Sequence, residues 1–190
     1  MNYTTLYSRN SRPDFWDKDQ KQCNCGSFAL NLTSWFVPYL YGDEMDEEDW
    51  DDAEILRFHS DERDVLYESL VAEGYSKEEV MEVVIENDWE FILMTCPFLE
   101  TISREEINEK DRVIAYRLLL DIPGEREEFS PDRDTDFHFR VLIDGEWWEK
   151  NGAWPVHKVE GGFTEKPWIY DDTGTLLVYE GPVRYARFIN

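Results

Sequence analysis

Gln22-Cys23-Asn24-Cys25-Gly26-Ser27-Phe28-Ala29-Leu30-Asn31 is the stretch around which the chain is organised. Here a polar segment turns into an apolar helix, and a cysteine stands at the turn. The apolar residues after it fall at Phe28, Ala29, Leu32, Trp35, Phe36 and Tyr39, the i, i+3, i+4, i+7 stripe of a buried helix. The spacing predicts a helix that ends near Val37, because Pro38 cannot continue it cleanly. Asn24 is an acceptable N-cap. Cys25 then lies in the first turn, where unsatisfied backbone N–H groups and the helix dipole favour a thiolate. That is the setting of an activated cysteine nucleophile, and equally a place where a small buried hydrophobe can start a helix.

Downstream of this helix the chain becomes strongly acidic. From Tyr41 to Asp64 there are twelve acids and two arginines, read as a solvated loop. No Asp-x-Asp-x-Asp run carries the Gly that a calcium loop needs, so an EF-hand is excluded. Asp61 to Glu73 reads as a helix stopped by Gly74. Ser76-Lys77-Glu78-Glu79 is a capping box opening another helix toward Trp89, and Phe91 to Met94 reads as a short apolar run beyond it. Ser103-Arg104-Glu105-Glu106 caps a third, shorter helix.

The texture changes after residue 111. Arg112 to Leu120 is a strand candidate. Phe137 to Ile143 and Glu146 to Lys150 flank Asp144-Gly145, the strongest hairpin signal in the chain. Asn151 to Tyr170, rich in Gly, Pro and Trp, reads as a loop, and Leu176–Tyr179 and Val183–Ile189 as two last strands. Helices followed by antiparallel strands define an α+β arrangement. At 190 residues, with 42% hydrophobic and 15% aromatic content, the chain is expected to fold as one domain, residues 1–190.

The balance of 43 acidic against 19 basic residues gives a formal net charge of -24, which disfavours binding to nucleic-acid phosphates or an anionic membrane. It suits instead a surface that keeps the protein soluble, or one that imitates the charge of DNA to a basic protein partner. Three cysteines make no disulfide framework, and Cys-x-Cys with a distant Cys96 lacks zinc-site spacing, so neither metal nor cofactor is expected. Met1-Asn2-Tyr3-Thr4-Thr5 has no basic n-region or apolar h-region, and the expectation is a reduced protein of the cytoplasm.

Of the three histidines, His59 lies in a charged region and His157 in a loop, both read as solvated. His138 lies on a strand, between Phe137 and Phe139, which alternation sends to the opposite face. A thiol at a helix start and an imidazole on a strand are the two parts of thiol–imidazole chemistry: the ring takes the thiol proton and later protonates the leaving amine. A two-residue turn at Asp144-Gly145 pairs Ile143 with Glu146, which puts Asn151 opposite His138 and Glu149 one diagonal step away. Either could orient the ring. An oxyanion hole would use the Cys25 N–H and one further donor from Gln20, Gln22 or Asn24, with Gln22 the expected donor. Trp147, Trp148, Trp154 and Trp168 cluster around the hairpin, as cleft wall or as packing.

Asn24-Cys25-Gly26-Ser27-Phe28-Ala29-Leu30-Asn31 resembles the Asn-Cys-x-x-(aromatic)-Ala-Leu-Asn nucleophile motif of a bacterial and phage group of papain-like cysteine peptidases, broadly of the NlpC type. Asp136-Phe137-His138-Phe139-Arg140 with Asp144-Gly145-Glu146-Trp147-Trp148-Glu149-Lys150-Asn151-Gly152 resembles that group's Asp-Tyr-His-(aromatic)-Arg … Asp-Gly-x-Trp-x-His-Lys-Pro-Gly block, and Asp172-Thr173-Gly174 its following Asp-x-Gly. The two blocks span about a quarter of the chain. The resemblance implies a papain-like α+β fold, with a nucleophile helix packed on a C-terminal antiparallel sheet. It implies Cys25 as nucleophile, His138 as general base and Glu149, in place of the group's second histidine, as the orienting residue. Asn151 stands where the group has Pro. Residues 41–109 have no counterpart and are expected to form an acidic helical insertion. The implied activity is hydrolysis of an amide bond in a peptide or a cell-wall (peptidoglycan) peptide. A phage-encoded member would act in the host cytoplasm or travel with the virion. The rival expectation is a non-enzymatic acidic binding or inhibitor protein, such as a DNA mimic, on a peptidase-like fold.

Overall fold

The computed structural model describes residues 24–32, 36, 68–120, 135–151, 155–172 and 175–189. Helix α1 spans Cys25–Leu30 and helix α2 spans Lys77–Thr95. The strands are β1 (Leu99–Ile102), β2 (Val113–Leu120), β3 (Thr135–Ile143), β4 (Glu146–Glu149), β5 (His157–Lys158), β6 (Trp168–Asp172), β7 (Thr175–Tyr179) and β8 (Arg184–Phe188). Six of them form an antiparallel sheet in the order β1-β8-β2-β3-β4-β5, and β6 and β7 form a separate two-stranded ribbon. The class is α+β.

Alternation along β2 and β3 divides the interior in two. Ile114, Tyr116 and Leu118 of β2 and Phe137, Phe139, Val141 and Ile143 of β3 belong to one core with both helices. Val113, Ala115 and Leu119 of β2 and Leu142 of β3 belong to another with Trp168 and Tyr179 of the ribbon. The sheet therefore has a helix face and a ribbon face, both buried.

Helix α2 starts as its capping box dictates: Ser76 caps Glu79 N, and the Glu79 carboxylate takes the Ser76 N–H at 2.9 Å. It runs past Trp89 to Thr95, so Phe91 to Met94 continues the helix rather than standing apart. Val80, Ile85 and Ile92 are completely buried on the helix face, each stabilising the fold by about 1.5–3 kcal/mol. The Tyr116 hydroxyl donates to buried Asp88, and Trp89 Nε1 donates to Thr101 at 3.2 Å. These contacts build the later part of the acidic segment into the sheet: α2 shares the core of Cys25 and Phe139, and β1 pairs with β8. Residues 41–67, with the twelve acids counted above, lie outside the described residues.

Three further expectations are corrected. The third capped helix is a single 3-10 turn at Arg104–Glu106. The loop expected from 151 to 170 contains β5 and the start of β6. Helix α1 ends at Leu30 instead of near Val37, because Asn31 adopts the left-handed conformation (φ 62°). Leu32 N then donates to Ser27 O at 2.8 Å and Asn31 N to Phe28 O at 3.3 Å, a Schellman closure. Arg112 completes that end by donating to the Phe28 and Ala29 carbonyls.

Candidate functional site

Asn24 does more than cap. Its Oδ1 accepts from Ser27 N at 3.0 Å, Ser27 Oγ at 2.9 Å and Phe36 N at 3.3 Å, and its Nδ2 donates to Phe36 O at 2.6 Å. The chain returning after α1 is thereby clamped to the helix start. Gly26 permits the fit: a Cβ there would lie 2.8 Å from the Phe36 ring and 3.3 Å from the Phe139 ring. Helix α1 thus presses its first turn directly onto β3.

That contact places Cys25. Its Sγ donates to the Phe137 carbonyl at 3.8 Å, one residue before His138. At this level β3 has run past its ladder with β4, whose last pair is Arg140 with Glu149. The thiol is buried, and burial, then the Asp136 charge, pushes it up to about 12, against the weaker pull of the Phe139 and Gly26 amides and of Lys150. Burial and the Asp136 charge thus work against the thiolate that a helix start favours. A helix of six residues brings little dipole to offset that burial. Cys96, also buried, is pushed up to about 11 by burial.

His138 lies on the ribbon face. Its Nε2 is 3.3 Å from Oε2 of Glu149, and its ring stands against Tyr170 at 4.7 Å and Tyr179 at 5.5 Å between centroids. The β3–β4 register pairs Ile143 with Glu146 and Arg140 with Glu149, as the two-residue turn requires. Asp144 and Gly145 both have positive φ, 52° and 78°, the mark of a type I′ turn. Glu149 therefore shares a face with Arg140 and His138.

Glu149 is the hub. Its Oε2 receives Arg140 Nε at 2.8 Å, the Tyr170 hydroxyl and His138, while Oε1 faces Nε2 of His157 at 3.2 Å. Burial alone would raise this carboxyl, but hydrogen bonds from His138 and His157 and the charges of His138 and Arg140 hold it well below the usual carboxylate range. Tyr170, half-buried beside an anion, is pushed up and keeps its proton. Arg140 is fixed in turn, with Nη2 donating to Tyr170 Oη at 2.8 Å and its guanidinium 4.3 Å from the Trp168 ring centre. Asp136 receives its own Phe137 N–H at 2.7 Å and the Tyr179 hydroxyl.

The structure gathers His138 and Glu149 into direct contact and brings Cys25 to the backbone beside His138. Among the described residues no hydrogen bond joins Sγ to the imidazole. Asn151 is half-buried, and among the described residues its Oδ1 has no hydrogen-bond partner. Gln22, Cys23 and Trp154 lie outside the described residues, as does His59. Trp168 is packed under two arginines, whereas Trp147 stacks on Phe163. His157 is expected as a solvated loop residue, and the structure differs. It belongs to β5, pairs directly with Glu149 in the ladder, and is the residue that sequence reasoning missed.

Among the described residues no cluster of three or more His, Cys, Asp or Glu side chains is arranged to hold a metal ion, and no helix is long and apolar enough to cross a membrane. No family model, curated protein or solved structure matches the chain.

Proposed function

We propose that the protein is a cysteine hydrolase of papain-like, broadly NlpC-type architecture that cleaves an amide bond in a peptide or cell-wall peptide. The observation that carries this reading is the pairing of a buried His138–Glu149 contact with a thiol lodged on the backbone of the residue preceding His138. Glu149 faces Nε2, so the proton transfer requires Nδ1 to reach a thiol that lies with α1 in the core on the other face of β3. Because Cys25 rests protonated, the ring acts as general base during attack instead of holding a preformed ion pair. Sγ bonds to the amide carbon as its proton passes to His138. The C–N bond then breaks, and the amine leaves with that proton. Water, deprotonated by the same ring, releases the acyl group from sulfur. The anionic Glu149 orients the imidazole and stabilises it when charged.

Iodoacetamide labelling from pH 6 to 9, read by peptide mapping, tests the reading. Cys25 should react faster than Cys96 and lose about a hundredfold in rate in His138→Asn. Incubation with defined peptides and cell-wall fragments should yield cleavage products that Cys25→Ser abolishes. Equal, His138-independent labelling of Cys25 and Cys96 with no cleavage would sink it.

A second reading is an acidic binding protein that retains a peptidase-like fold, favoured by the burial of the thiol and the net charge of -24. It requires that Cys25→Ser leave capture of a basic partner unchanged.

A further inference from the structure

His157 has two ring nitrogens, and both face acceptors. Nδ1 is 3.3 Å from the Pro155 carbonyl and Nε2 is 3.2 Å from Oε1 of Glu149. A neutral imidazole carries one N–H and can satisfy only one of them; the imidazolium satisfies both. The two oxygens of Glu149 are also divided. Oε2 is held by His138, Arg140 and Tyr170, whereas among the described residues the hydrogen bond at Oε1 comes from His157. The ladder makes this arrangement rigid, since Glu149 and His157 are directly paired across β4 and β5.

We propose that His157 is a positioning residue: as an imidazolium spanning Pro155 O and Glu149 Oε1 it locks the carboxylate that orients His138, and its deprotonation releases that lock. The proposal deepens the reading of Cys25, His138 and Glu149 as a hydrolytic site and rests on it.

The groups facing His157 from its neighbours favour the charged ring. The Glu149 carboxylate on β4 lifts it above its ordinary value, helped by the Pro155 carbonyl and opposed by burial and by Arg140 on β3. His138 and Tyr170 meet the same carboxylate at its other oxygen. Its sequence neighbour Lys158 is engaged elsewhere, with Glu146. His157 is itself about half exposed, at 44% for its side chain, so its proton exchanges with solvent while Glu149 stays buried. The hydrolytic machinery is thereby connected to bulk pH through one ring that need not touch substrate.

The test uses the intact chain labelled with ¹⁵N-histidine and titrated by NMR, beside Cys25 labelling with iodoacetamide. His157 should titrate with its midpoint above the free imidazole value of about 6.5, with both nitrogens protonated below that midpoint. Signals of His138 should shift in step as His157 loses its proton. His157→Gln, which keeps one N–H donor, should retain most of the Cys25 labelling rate, while His157→Leu should lose about tenfold or more with a changed pH profile. A free-imidazole midpoint for His157, or His138 signals indifferent to it, would overturn the proposal even with Cys25 fully reactive. If instead Cys25 is inert in every variant while the His138 signals still follow the His157 titration, the hydrolase reading fails and the coupling stands.

Discussion

Nε2 of His138 and Oε2 of Glu149 approach to 3.3 Å with both side chains almost wholly buried, and the same oxygen also takes Arg140 Nε at 2.8 Å. One buried carboxylate therefore balances a permanent cation and faces two imidazoles. Its removal should be felt in both stability and chemistry. Glu149→Gln leaves Arg140 buried without a countercharge and should cost about 3–5 kcal/mol, measured by urea unfolding. A loss below about 1 kcal/mol, as for an exposed ion pair, would contradict this account.

The pH dependence follows from the direction of the Glu149 shift. Its folded value is depressed, so its contribution is complete above the unfolded value of about 4.3 and drains away as pH falls toward the folded one. His157 is raised, so its contribution is present below about 6.5 and is lost as pH climbs through the folded value. Unfolding midpoints measured from pH 3 to 9 should fall at both ends. The acid-side fall should be shallower in Glu149→Gln, and the alkaline-side fall shallower in His157→Gln.

Asp136 acts on Cys25 through charge. After burial it is the largest influence holding the thiol protonated. Asp136→Asn keeps an oxygen for the Tyr179 hydroxyl and removes the charge. The Cys25 labelling rate at fixed pH should rise, by up to about tenfold for each unit the thiol falls. An unchanged or slower rate would show that Asp136 does not control the sulfur.

Gly26 is the test of the helix seat. A methyl group there would stand 2.8 Å from the Phe36 ring, too close without a shift. Gly26→Ala should cost about 1–3 kcal/mol and displace Cys25 from the Phe137 carbonyl. Thermal unfolding and Cys25 labelling together check both consequences. Retained stability with unchanged labelling would mean that Phe36 yields freely.

What could be read from the residues depended on how local the signal was. The Asp144-Gly145 turn carries its own register, and with it the sharing of a face by His138 and Glu149. The Ser76 box likewise marks the start of α2. The early end of α1 was hidden because apolar spacing continues through Phe36 while one backbone conformation at Asn31 breaks the helix. His157 was hidden for a different reason. β5 follows β4 through a connection whose length does not set its register, so its place beside Glu149 is a property of the ladder and of nothing local. The raised Cys25 thiol is likewise tertiary, since depth of burial is not written in a helix start.

The division of β3 between two interiors makes its pairing unforgiving. Phe137 and Phe139 belong to the helix side, and His138 and Arg140 to the ribbon side. A slip of one position would drive an imidazole and a guanidinium into the greasy packing under α2 and push two phenyl rings among carboxylates. Neither half could tolerate the exchange, so a misaligned strand has no stable resting place. Correct threading of this one strand and assembly of the polar cluster are the same event, and the protein has no way to complete one without the other.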